Sequence, residues 1–169
     1  TVVLEPAAVA DLLGFFVGAM NQRPADEGRS FFSKAGGGTR VGEALFPAHI
    51  HLRTDPTAAA TPGQPFDREG LPLGPGDGRA LSLVEGGALK ALPCERYWAR
   101  KQGQAPLGHP TVVQLAPGSA TREGLIAGVK RGLLITRFWY TRMVDPQALL
   151  VTGLTRDGVF LIEDGALVD

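Results

Sequence analysis

The run Leu133-Leu134-Ile135-Thr136-Arg137-Phe138-Trp139-Tyr140-Thr141-Arg142-Met143-Val144 reads as a β-strand, because β-branched and aromatic residues recur and no proline interrupts it. Asp145-Pro146 follows as a turn, Ala148 to Leu154 as a second strand, Arg156-Asp157-Gly158 as another turn, and Val159 to Glu163 as a third strand. Asp164-Gly165 then turns the chain into Ala166-Leu167-Val168-Asp169. Such a meander builds antiparallel sheet.

Working outward, Ala80 to Glu85 and Ala88 to Leu92 flank Gly86-Gly87, a two-residue hairpin turn that needs positive φ at both centres. Helices are expected around Glu95 to Gln102 and from Ser119 or Ala120 to Arg131, with Gly132 placed to end the latter. A strand is expected at Thr111 to Leu115. At the start, Thr1-Val2-Val3-Leu4 reads as buried strand, and Glu5-Pro6 introduces a helix that ends near Asn21, before Pro24. Val9, Leu13, Phe16 and Met20 follow at helical spacing, and Leu12 and Val17 widen the stripe. Asp11 is the single charge between Pro6 and Met20, so this helix is expected to be buried around most of its circumference, with Leu13 and Phe16 in the core. Residues 23–43 read as a glycine-rich loop pinned by Phe31-Phe32, and Phe46 to Arg53 as a strand. Glycines and prolines crowd the stretch from Thr54 to Gly78, which reads as an ordered excursion or a flap. The predicted class is α+β: mostly antiparallel sheet, meander or barrel-like, with two or three helices.

A chain of 169 residues suits one domain that buries roughly 70% of its unfolded surface. Seventeen basic side chains balance seventeen acidic ones, which gives a nucleic-acid partner no support. No apolar run approaches the ~20 residues that cross a bilayer, so no membrane partner is expected and a cytoplasmic protein is the default. The one cysteine, Cys94, can form no internal disulfide. Strand signal at both ends suggests a piece cut from a longer chain, because an unpaired edge makes a poor terminus.

Candidate chemistry is sparse. His49 and His51, two apart on the expected strand, would share a face and could share a metal, yet zinc needs three or four ligands. His109, in Leu107-Gly108-His109-Pro110, could contact a ligand from its loop or simply bond to backbone. Asp67 and Glu69, in Pro65-Phe66-Asp67-Arg68-Glu69-Gly70, could act as an acid–base pair, ligate a cation, or form the turn. Cys94 lacks a neighbour that would lower its pKa, and Glu95 would raise it. The more suggestive group is Arg137, Trp139, Tyr140 and Arg142. Strand period places Trp139 on the side of Arg137, and Tyr140 with Arg142 on the other. Arginine beside aromatics is the composition of an interface anchor or an extended-peptide groove, and also of an exposed strand laced with ion pairs.

The order of short motifs resembles the TldD/PmbA family over nearly the whole chain. They run Leu4-Glu5-Pro6-x-x-Val9-x-x-Leu12-Leu13-Gly14, Gly28-Arg29-Ser30-x-Phe32, Pro65-Phe66-Asp67-x-Glu69-Gly70, Glu85-Gly86-Gly87-x-Leu89 and Ala99-Arg100-Lys101-x-Gly103. Gly108-His109, Gly132-Leu133-Leu134-Ile135-Thr136 and Phe160-Leu161-Ile162-Glu163-Asp164-Gly165 complete them. The resemblance implies a carboxy-terminal domain, spanning 1–169, of a metallopeptidase-related protein. Catalytic members of that family build a zinc site from a helix bearing His-Glu-x-x-x-His and a later cysteine. Over the corresponding helix this chain reads Pro6-Ala7-Ala8-Val9-Ala10-Asp11. It therefore resembles the metal-free branch, whose members pair with a zinc-bearing relative. On this expectation the chain binds no cofactor of its own, zinc belongs to a partner subunit, and short or unfolded peptides are the substrate. The partner would be a zinc-bearing paralogue or a second copy.

Overall fold

The computed structural model describes residues 1–73 and 80–168. The glycines and prolines expected to shape 74–78, and the terminal Asp169, lie outside the described residues. The chain divides into two compact units, 1–19 with 118–169 and 20–117.

The first unit holds β1 (Val2–Leu4), α1 (Pro6–Ala19), α4 (Arg122–Ala127), β6 (Arg131–Asp145), β7 (Leu150–Glu163) and β8 (Ala166–Val168). Its sheet runs β1-β6-β7-β8, open at both ends and not closed into a barrel. β1 is parallel to β6, whereas β6–β7 and β7–β8 are antiparallel. Val3, Ile126, Val129, Leu134 and Ile162 close over one another as the core of this unit. α4 is shorter than expected: Thr121 Oγ1 accepts the Gly124 N–H at 3.1 Å to start it, and Gly128 ends it. Gly132 is instead a strand residue, where a Cβ would stand 2.5 Å from the Thr1 carbonyl oxygen.

The meander is simpler than its sequence implied. Arg156-Asp157-Gly158 is not a turn but lies inside β7, so the two strands expected on either side are one. Ile135 pairs with Val159 and Arg137 with Arg156, which leaves one extra residue on β7, and Asp157 takes φ +68° there. Turn-forming residues have made a β-bulge. A second bulge lies on β6, between the pairs Trp139–Leu154 and Arg142–Thr152, with Tyr140 at φ +47°. The turn expected at Asp145-Pro146 runs over 146–149, so the strand expected from Ala148 starts at Leu150; Asp145 Oδ1 accepts the Gln147 N–H at 2.8 Å.

α1 starts at Pro6 but is not buried round its circumference. Ala8 is its buried residue, while Leu13 and Phe16 are half-buried. The expected core placement of those two fails because α1, packed against β6 and β1, buries a single face.

The second unit holds α2 (Gln22–Asp26), β2 (Leu52–Thr54), β3 (Leu81–Glu85), β4 (Ala88–Leu89), α3 (Arg96–Gln102) and β5 (Gln114–Leu115). Its antiparallel sheet runs β4-β3-β2-β5. The strands expected over 46–53 and 111–115 shrink to β2 and β5, because turns and loop hydrogen bonds occupy 46–50. Pro24 does not stop helix formation. It sits in the first turn of α2, behind the Asn21 cap, where a missing N–H leaves no bond unmade. Four helices are thus described rather than two or three, and the α+β class holds. Gly86 (φ +57°) and Gly87 (φ +75°) make the expected hairpin turn, and a Cβ on Gly87 would lie 2.1 Å from the Phe46 carbonyl oxygen. Phe32 is fully buried, edge-to-face with Phe31, so these aromatics do pin their loop.

Candidate partner surface and loop site

Asp67 is buried, and its carboxylate accepts three backbone N–H groups. Oδ1 accepts the Glu69 and Leu71 N–H groups at 2.8 and 3.0 Å, and Oδ2 accepts the His109 N–H at 3.0 Å. Burial alone would raise its pKa, but the three donors outweigh that and hold the carboxyl below its ordinary value. Glu69 Oε2 accepts the Arg96 N–H at 3.0 Å, at the start of α3. His109 is partly buried, and burial pushes its pKa down, helped by the nearby Arg68 charge. Its Nε2 lies 3.4 Å from the Asn21 amide nitrogen, which fits a neutral ring accepting a hydrogen bond. The structure does bring Asp67, Glu69 and His109 into one neighbourhood. It gives them the work of tying loop 65–73 to residue 109 and to α3, and three of the roughly four acceptor sites of the Asp67 carboxylate are taken up by backbone N–H groups.

The other sequence candidates separate. His49 and His51 are not on a strand, so the shared-face argument lapses, and His51 Nδ1 accepts the Gly86 N–H at 3.3 Å. Cys94 is buried, which raises its thiol pKa, and Gln104 Nε2 donates to its sulfur at 3.2 Å.

Arg137, Trp139, Tyr140 and Arg142 are all exposed. The bulge at Tyr140 changes their geometry from the period-two expectation. Exposed positions run 137 and 139 before it, then 140, 142 and 144 after it. Arg137 and Arg142 are therefore not on opposite sides, because the inserted residue moves the later strand by one step. Trp139 and Tyr140 meet edge-to-face at 5.3 Å. The Arg156 guanidinium lies 3.9 Å from the Trp139 ring centroid. Arg137 donates through Nε and Nη2 to Asp11 at 3.0 and 3.1 Å, and the Phe138 N–H donates to the same carboxylate at 3.0 Å. Those bonds lower the Asp11 pKa and raise that of Arg137. Sequence reasoning missed Asp11, Arg156 and Asp157 here. Asp11 is 126 residues from Arg137, and the other two carry turn chemistry that gave no sign of a strand.

Zinc does not fit these donors. Asp11 is the single metal-capable side chain between Pro6 and Asp11, and Arg137 and Phe138 already engage it. No cluster of three His, Cys, Asp or Glu able to hold a metal occurs among the described residues. Nor is any described helix long and apolar enough to cross a membrane.

The fold is shared with solved structures at low identity. A proposed modulator of DNA gyrase from Bacteroides thetaiotaomicron superposes with TM-score 0.76 at 24% identity, over 99% of this chain and 36% of that one. TldE from Thermococcus kodakarensis gives 0.74 at 24%, over 98% and 38%. A second proposed gyrase modulator, from Thermotoga maritima, gives 0.72 at 20%, over 99% and 38%. The chain thus spans little more than a third of the length of each. No curated protein matches it. The family model for the PmbA/TldA metallopeptidase C-terminal domain matches residues 1–169, so the motifs first noted in order along the sequence, and the two small open sheets they build, place this chain in that family.

Proposed function

We propose that this chain is a non-catalytic part of a peptidase-type complex in the cytoplasm, supplying wall and partner surface while a zinc-bearing relative hydrolyses short or unfolded peptides. The partner is that relative or a second copy of this chain. The observation that carries the proposal is the outer part of the β6–β7 hairpin. β1 pairs with β6 up to Ile135, and β8 pairs with β7 from Leu161 onward, so 137–156 is a two-stranded ribbon. Such ribbons are marginal in water without cover. This one nevertheless exposes Trp139, Tyr140, Val144, Leu150 and Leu154. Tryptophan, tyrosine and arginine are the side chains enriched at binding hot spots.

The test is sedimentation of the intact protein, alone and with a zinc-bearing relative. Trp139→Ala is expected to weaken association by about 2 kcal/mol, roughly thirtyfold, with little change in melting temperature. Unchanged association with unchanged melting removes the ribbon from the interface and sinks the proposal.

A further inference from the structure

Arg137 and Arg156 stand directly opposite each other in the β6–β7 register. Like charges at such a position destabilise a strand pair, so the repulsion needs an offset. Part of it is internal. Arg137 uses Nε and Nη2 on Asp11, and Arg156 uses Nε on Asp157 at 3.2 Å. A guanidinium has five N–H donors, so each of these arginines keeps further N–H groups, and those have no acceptor among the described residues. Both side chains line a depression of about 330 Å³, together with Phe138, Trp139 and Asp157. The Trp139 ring beneath Arg156 restrains that guanidinium, which reduces the freedom lost when it binds.

We propose that this depression receives one carboxylate, supplied by an aspartate or glutamate side chain of a partner chain. This rests on the docking role proposed for the ribbon. Two features select the ligand. A planar carboxylate matches the fork geometry of guanidinium donors. Asp11 and Asp157 offset much of the arginine charge, so the ligand is held by the spare N–H groups, and a monoanion is repelled less by these two carboxylates than a phosphate dianion would be. Trp139 supplies an apolar edge for the methylene stem of the incoming side chain.

The experiment uses the intact protein labelled with fluorotryptophan, with the Trp139 fluorine signal assigned through Trp139→Phe. The probe is N-acetylglutamate α-amide, which carries one carboxylate, and the control is N-acetylglutamine amide. A saturable shift of the Trp139 signal is expected with the probe, and about fivefold weaker binding of the control, the scale of one exposed charge pair. Arg156→Gln should weaken the probe about fivefold, and Arg131→Gln, at the far end of β6 beside Glu163, should leave it unchanged. If Arg156→Gln does not fold, Arg156→Lys serves, since it loses the fork and should also weaken binding. No saturable shift, equal binding of probe and control, or an unaltered folded Arg156 variant overturns the site. Sedimentation of the same proteins separates the two ideas: association without carboxylate binding sinks this inference alone, and carboxylate binding without association sinks the docking role.

Discussion

Asp11 and Asp67 each accept backbone N–H groups that the helices and strands around them leave unpaired. Asp11 takes the Phe138 N–H on β6 just beyond the end of its pairing with β1, and so blunts an edge that would otherwise be free. Asp67 performs the equivalent task for a loop. Asp67→Asn keeps the shape but loses the charge, so it should cost about 1.5–3 kcal/mol at pH 7, the worth of hydrogen bonds to an ionised group. The pH dependence follows from the lowered carboxyl pKa. Stability from Asp67 is fully present above the unfolded value of about 4 and is lost as pH falls through the lower folded value. Urea unfolding at neutral and acid pH checks this: the gap between parent and variant should narrow in acid, and a constant gap refutes it.

At the scale of elements, the bulges at Asp157 and Tyr140 decide what the middle of the long hairpin presents. Tyr140 holds a left-handed conformation, which costs a non-glycine residue about 1 kcal/mol, and it is 67% exposed. Tyr140→Gly removes the strain together with the ring. It should fold at least as stably as the parent yet associate more weakly, read by melting and sedimentation. Tyr140→Val, β-branched at positive φ, should lose stability. If glycine destabilises as much as valine, the backbone account of the bulge is wrong. The burial of α1 gives a second contrast. Leu134 is fully buried, so Leu134→Ala should cost about 2–5 kcal/mol, whereas half-buried Phe16 should cost less than a core aromatic's roughly 3–5. Denaturant unfolding decides; equal losses would place α1 in the core after all.

For the whole molecule, family membership and local donor chemistry point in different directions. The family is one of metallopeptidases, while α1 offers Asp11 as its one His, Cys, Asp or Glu side chain. Elemental analysis of the purified protein should find no stoichiometric zinc that depends on this helix. About one zinc per chain, retained through mild chelation and lost on Asp11→Ala, would show the donor argument to be mistaken.

What the sequence determined by itself was local. The Gly86-Gly87 and Asp164-Gly165 turns, the start of α1 at Pro6 and α3 were legible because each depends on backbone preferences of adjacent residues. The α+β class and the family were legible too, since both rest on the order of such signals. Tertiary structure alone decided the rest. Arg156-Asp157-Gly158 has turn chemistry but became a bulge, because pairing with β6 on both sides of it outweighed the local preference. The bulge at Tyr140 changed which side chains share a face, and a period of two cannot register an inserted residue. Asp11 found Arg137, and Arg137 came to stand opposite Arg156, only when α1, β6 and β7 were laid side by side. Those contacts join residues far apart in the chain, and nothing in the neighbourhood of any one of them encodes the other.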